Sequence, residues 1–167
     1  MDRLRIRPAR EEDREALTHL LAASYPALLA SDYAPDLLAR ALPLIARANP
    51  ALLASGSYYL MKPALGGAPL AAGGWTADSP HQPEAAGIGH VRHVVTHPMA
   101  TRRGLAARLI GRSFTEAKIA GLTQLVALST LMAVPFYAAM GFAAEREEII
   151  VMAPGVHFPA VRMVRAL

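Results

Sequence analysis

One short stretch limits what this chain can fold into more than any other. Over 88–96, Ile88, Val91, Val94 and Val95 read as a strand, closed by His97-Pro98. A polar turn follows, Met99-Ala100-Thr101-Arg102-Arg103-Gly104, and from 102 to 120 apolar residues recur at helical spacing. Strand, tight turn and helix in succession place the chain among mixed α/β architectures. The joint also carries chemistry. A helix N-terminus presents unpaired N–H groups and about half a positive charge, which together favour an anion. Gly104 has no side chain to keep a phosphate off the backbone. Arg102 and Arg103 stand beside it and Arg108 a turn further on. A plain helix start with solvated arginines has the same sequence, and both readings stay open on physics alone. No G-x-G-x-x-G and no G-x-x-x-x-G-K-[ST] is present, which removes dinucleotide-fold and P-loop readings.

The remaining pattern extends the same class. A strand over 3–7 stops at Pro8. Acidic Glu11-Glu12-Asp13 opens a helix carried by Ala16, Leu17, Leu20, Leu21 and Ser24, which Pro26 should break or kink. A second helix over 35–48 is ended by Asn49-Pro50. Strands at 57–61 and 70–76 flank the turn Gly66-Gly67-Ala68-Pro69, although Gly73-Gly74 weakens the second. A Pro- and Gly-rich loop over 77–87 leads into the strand at 88–96. After the helix over 102–120 come a strand over 122–130 and a short helix over 132–140, with Gly141 just past its end. Strands over 142–152 and 158–164 close the chain around Pro154-Gly155. The order is β-α-α-β-β-β-α-β-α-β-β. The expected fold is a mixed sheet of six to seven strands with about four helices. The 167 residues suit one domain, 1–167.

Composition narrows the function. The absence of cysteine excludes disulfide scaffolds, thiolate metal sites and a cysteine nucleophile, and fits a reducing, cytoplasmic setting. The segment Met1-Asp2-Arg3-Leu4-Arg5-Ile6-Arg7 alternates charge with apolar residues and has no apolar core of a secretory leader. Residues 119–144 hold no charge and are long enough to span a bilayer. Gly121, Gln124, Ser129, Thr130 and Pro135 interrupt them, and a buried strand followed by a buried helix is the better reading. The net charge is +4 and lysine occurs only at Lys62 and Lys118, so arginine carries the positive charge. Arginine favours planar anions, in nucleic acid or a phosphorylated cofactor. No nucleic-acid motif is present and the aromatics do not interleave with the arginines, so no nucleic-acid partner is expected.

Several segments together resemble one family. Thr101-Arg102-Arg103-Gly104-Leu105-Ala106 is similar to the acyl-CoA loop of the GNAT N-acetyltransferase superfamily, Gln/Arg-x-x-Gly-x-Gly/Ala. Gly104 and Ala106 match and Thr101 departs. Val94-Val95-Thr96-His97-Pro98 resembles the end of that family's central strand. Pro135-Phe136-Tyr137-Ala138-Ala139-Met140-Gly141-Phe142 resembles its "FY…GF" segment, and Ile6-Arg7-Pro8-Ala9 with Glu12-Asp13 its opening. The tail from Gly155 to Met163 is similar to that of bacterial members. The resemblance covers nearly the whole chain.

It implies a GNAT-like fold that binds acetyl-CoA as co-substrate, without metal, in a cleft where central strands splay. Pantetheine contacts would fall to Val94, Val95 and Thr96, and pyrophosphate contacts to Arg102, Arg103, Gly104, Leu105 and Ala106. Thr130 and Phe136, around the start of the last helix, join them. Many members carry an Asn there, and Thr130-Leu131-Met132 has none. Tyr137 matches the general acid that returns a proton to the leaving thiolate. The implied activity is acetyl transfer to a primary amine, on a small molecule or a peptide, by direct attack. A non-catalytic acyl-CoA-binding or sensor domain is the alternative. A homodimer is plausible within the family.

For the base, His93 is the candidate, with solvent or a water chain as the other route, because histidine titrates near neutrality. On a regular strand His90 and His93 point to opposite faces, and neither shares an ion with His97. Tyr25, Tyr33, Tyr58, Tyr59 and Trp75 either wall an acceptor pocket between the first helices and the first hairpin or belong to the core.

Overall fold

The computed structural model of the chain describes residues 3–167. Met1 and Asp2, which opened the stretch read for a leader, lie outside the described residues. Seven strands, β1 (Leu4–Pro8), β2 (Tyr58–Pro63), β3 (Ala71–Thr76), β4 (Ile88–Thr96), β5 (Gln124–Ser129), β6 (Ala143–Ala153) and β7 (Val156–Ala166), form one sheet in the order β1-β2-β3-β4-β5-β7-β6. Five helices accompany it: α1 (Arg14–Leu29), α2 (Pro35–Ile45), α3 (Pro50–Ser55), α4 (Leu105–Ile119) and α5 (Val134–Ala139). All neighbouring strands are antiparallel except β4 and β5, and a parallel pair needs a crossover, here α4. The expected mixed α/β sheet is present with seven strands.

Alternation buries both faces. Tyr59 and Met61 of β2 face α4, meeting Leu105, Leu109 and Ile110 together with Leu125, Ala127 and Met163. Tyr58 and Leu60 face the other way, against Leu17, Leu20 and Leu21 of α1 and Leu52 and Leu53 of α3. A third cluster seats Leu38 and Ala41 of α2 against Val156 and Phe158 of β7. Arg7 reaches from β1 to Asp13 through two 2.7 Å hydrogen bonds and holds that carboxyl below its usual range. This pair ties the first strand to the entry of α1.

Three expectations need correction. Pro26 does not break the first helix, which continues to Leu29. Proline removes one backbone bond, but Leu20, Leu21 and Ser24 before it and Leu29 after it are all buried, so packing carries the helix past it. Helix α2 stops at Ile45, and Asn49-Pro50, read as a terminator, begins a further helix, α3. Asn49 Oδ1 accepts a 2.9 Å bond from the Ala51 N–H, Pro50 sits in the first turn, and Gly56 closes the helix at φ 75°. Helix α4 starts at Leu105 rather than 102, because Arg102 and Gly104 are left-handed, at φ 59° and 73°. The charge-free stretch divides into β5, a tight turn and α5. No helix among the described residues is long and apolar enough to cross a membrane.

The sheet has one irregularity at its centre. Ala72 pairs with Val95 and Gly74 with Arg92, so Gly73 alone faces both His93 and Val94. This is a β-bulge, and His93 takes φ 42° to make it. The extra residue changes the phase of β4. Val91 and Val94, three apart, both pack against the α4-side core, and Val95 turns to the α1 side. A bulge bends its strand and increases local twist, and β4 leaves β5 beyond the pair His90–Val126.

Two glycines therefore differ sharply in what they tolerate. A Cβ on Gly74 would overlap the Ser57 carbonyl oxygen and sit 2.6 Å from Tyr58 Cα, whereas one on Gly111, inside α4, meets nothing within 4 Å. Gly111→Ala is expected to stabilise the protein by about 0.5–1 kcal/mol. Gly74→Ala is expected to cost at least about 2 kcal/mol. Urea unfolding of both variants checks the pair.

Candidate active site

Where β4 and β5 part, a narrow wedge of about 100 Å³ opens between them. Val91, His93 and Val94 line it from β4, Ala127 and Leu128 from β5, Tyr25 from α1 and Tyr137 from α5. Tyr137 is 8% exposed and packs edge-on against Phe136 and Phe142, with ring centres 5.1 and 5.4 Å away. Its hydroxyl makes no hydrogen bond to another described residue. Burial pushes its pKa upward, so the phenol keeps its proton at neutral pH.

Below the wedge the chain turns from β4 into α4. His97 Nδ1 accepts the Met99 N–H at 3.2 Å, and the Thr101 hydroxyl donates to the Pro98 carbonyl at 3.2 Å. Thr101 thus braces the turn. The first backbone bond of α4 runs from Arg108 N to Gly104 O at 3.1 Å, leaving the N–H groups of Leu105, Ala106 and Ala107 ahead of it. Arg102 and Gly104 ahead of it are left-handed, backbone of the kind that can turn successive N–H groups toward an anion. Nothing lies within 4 Å of where a Gly104 Cβ would stand. Arg102, Arg103 and Arg108 are exposed and, among the described residues, have no carboxylate partner. The Leu105 side chain belongs to the core, so its share in an anion site is its N–H alone.

His93 sits at the bulge. Its Nδ1 lies 3.2 Å from the Tyr25 hydroxyl, and its carbonyl accepts a 2.8 Å bond from the Tyr58 hydroxyl. Burial lowers its pKa to about 4, with nearby Arg92 acting the same way. The bulge also undoes the opposite-face expectation for His90 and His93. Both line cavities under the 77–87 loop, and those cavities share Pro80, His81, Leu128 and Ile150. Among the described residues no cluster of three or more His, Asp or Glu could hold a metal ion.

A larger cavity of about 340 Å³ adjoins the wedge through Tyr25, Val91, His93, Leu128 and Thr130. Only Tyr25 of the five aromatics flagged in the sequence lines it. Tyr58 lies behind His93, and Tyr33 stacks on Phe158 at 4.3 Å, bonding Pro159 O and Leu131 N. Tyr59 and Trp75 are on the opposite face: the Tyr59 hydroxyl donates to Glu116 at 2.6 Å and the Trp75 indole to Tyr59 at 3.3 Å. Strict alternation along β2 separates Tyr58 from Tyr59. The walls missed in the sequence come from the closing hairpin, Ile150, Met152 and Phe158, and from Arg92. Of the expected cofactor contacts, Val94 and Thr130 line the wedge, Thr96 pairs with Ala71, Phe136 packs on Tyr137, and Val95 is buried against α1.

This arrangement has relatives. The family model of the acetyltransferase (GNAT) domain matches residues 74–163, more than half of the chain. The chain belongs to the GNAT acetyltransferase family. Solved GNAT structures share its fold at low identity. The GCN5-related N-acetyltransferase "Aminotransferase, Class-II" from Rhodopseudomonas palustris aligns with TM-score 0.76 and 21% identity, covering 100% of this chain and 96% of that one. The PaiA N-acetyltransferase from Thermoplasma acidophilum, in complex with coenzyme A, aligns with TM-score 0.75 and 13% identity over 99% of each chain. A GNAT family acetyltransferase from Brucella melitensis, in complex with acetyl-CoA, gives TM-score 0.65 and 16% identity over 100% and 90%. No curated protein sequence matches the chain significantly.

Burial of His93 in this GNAT chain has a measurable consequence. An unfolded histidine binds its proton near pH 6.5 and the folded His93 only near about 4. Between those values the unfolded state holds more protons, so stability rises with pH. Urea unfolding should show higher stability at pH 7 than at pH 5, and His93→Gln should shrink that difference.

Proposed function

We propose that residues 1–167 act as one acetyl-CoA-dependent N-acetyltransferase domain that acetylates a primary amine by direct attack in a ternary complex. One observation carries this reading: the N–H-lined turn before α4 and the wedge holding Tyr137 lie at the two ends of the same stretch of β4. A ligand with a diphosphate at one end and a thioester at the other, joined by an extended arm, fits that layout. Support comes from the relatives from Thermoplasma acidophilum and Brucella melitensis, which were solved with coenzyme A and acetyl-CoA.

In this reading the pyrophosphate rests on the turn at 102–106, next to open space at Gly104, with Arg102, Arg103 and Arg108 adding charge. The arm runs along residues 94–96, whose β5-facing edge has no strand partner. The neutral amine attacks the thioester carbonyl, the C–S bond breaks, Tyr137 gives its hydroxyl proton to the departing sulfur, and the proton released from nitrogen on forming the amide restores the phenol through water. Burial raises phenol and thiol pKa alike, so donor and acceptor stay matched inside the wedge. His93, with its pKa near about 4, cannot retain a proton taken from an ammonium group. Its part is to accept a hydrogen bond as a neutral imidazole, and the amine's proton leaves through water. A non-catalytic acyl-CoA-binding domain is the second reading, favoured by the lack of a carboxylate on β4.

Acetyl-CoA at about a hundred times its dissociation constant should add about 2.7 kcal/mol of stability. For a chain of this size that raises the melting temperature by roughly 5–10 °C. Coenzyme A should act similarly, and no shift with either would remove the proposal. Tyr137→Phe should keep the shift and lower kcat by about 10²–10⁴-fold, read as acetyl-CoA-dependent thiol release. An unchanged rate would take Tyr137 out of the chemistry.

A further inference from the structure

The cavity beside the wedge has one charged group that the fold leaves unmatched. Arg92 sits one residue before the bulged His93, is half-buried, and lines the 340 Å³ cavity together with His93 and Tyr25. Its only hydrogen bond among the described residues is from Nη1 to the Thr76 hydroxyl, at 3.1 Å. No carboxylate among the described residues lies within ion-pair distance of it. The acids that line the adjoining cavity are committed elsewhere. Glu84 and Glu145 bind Arg162 at 2.6 and 2.9 Å, and Glu148 binds Arg146 at 2.9 Å. His81, which shares the cavity, is held neutral by burial at pH 7. A partly desolvated guanidinium is costly unless it is paired, and its fork matches a carboxylate with two parallel bonds. Desolvation lowers the Arg92 pKa, in keeping with a missing anionic partner. The rest of the cavity is mainly apolar, with Ile45, Ile150, Met152 and Phe158 on its walls.

We propose that Arg92 anchors a carboxylate of the acceptor, so that the amine acetylated here belongs to an amino acid or similar amino-carboxylate with an apolar body. This rests on the acetyltransferase reading of the same site. The carboxylate pairs with Arg92, the apolar body lies against the β6–β7 hairpin, and the amine points past His93 into the wedge toward Tyr137. A peptide N-terminus has an amide where this carboxylate would be, and fits the cavity less well.

The test uses the full chain, acetyl-CoA and a matched panel. Leucine, phenylalanine and methionine are compared with isoamylamine, phenethylamine and the amino-acid amides by thiol release. The expected result is kcat/KM at least about 100-fold higher for the acids than for their uncharged partners. Arg92→Met should remove most of that preference while leaving the thermal shift by acetyl-CoA intact. N-acetyl-leucine and N-acetyl-phenylalanine should stabilise the coenzyme A-loaded protein, and should do so no longer in Arg92→Met. Equal use of amines and acids, an undiminished preference in Arg92→Met, or neither turnover nor stabilisation by any carboxylate while acetyl-CoA still binds would each overturn the proposal. Failure of acetyl-CoA itself to bind would instead count against the acetyltransferase reading.

Discussion

The site depends on a single mismatch in strand pairing. Gly73 faces two residues of β4, and that extra residue turns His93 left-handed and bends the strand away from β5. Gly74 beside it has no room for a side chain against β2. Had β4 stayed regular, ladder bonds to β5 could have continued past His90 and left no wedge. The same phase change sends Val94 toward the α4-side core and Val95 toward α1, and brings His93 next to Tyr25. The opening and the buried imidazole thus meet at one extra residue.

Charge is divided between two environments. Outside, at the turn before α4, arginines and backbone N–H groups face solvent and suit an anion arriving from water. Inside, burial favours the neutral forms of the tyrosines and the histidine: Tyr25 and Tyr137 are pushed up and His93 is pushed down. Several carboxylates are engaged in structure. Asp13 closes the β1–α1 joint, Glu116 holds Tyr59 and Arg112, and Glu84 pins the 77–87 loop to Arg162. Arg92 is half-buried in the cavity and makes no ion pair among the described residues.

Much of this was legible in the sequence, and what was not has definite causes. Strands β4 and β5, helix α4, the hairpin around Pro154-Gly155 and the anion-favouring turn follow from periodicity, Gly104 and the helix start. The bulge was not read, although Gly73-Gly74 was noted as a weakness in its strand. Its signal was present: Val91 and Val94 share a core three residues apart, a spacing that strict alternation does not allow. Helix α3 was missed because Asn49-Pro50 both stops one helix and caps the next. Pro26 misled because local propensity lost to burial on either side of it. The second cavity depends on β6 and β7 folding back beside α2, a long-range contact that no local pattern encodes. Arg92 stood among basic residues that looked alike until the ion pairs were known.

Hydrogen exchange at the edge of β4 tests the central claim most directly. Amides of residues 91–96 and of the turn at 101–106 are followed with and without coenzyme A. If the bulge opens β4 to hold the cofactor arm, both segments should become protected on binding while β1 and β2 stay unchanged. Binding that protects neither segment would contradict the account, because the ligand would then lie away from the place where β4 and β5 part.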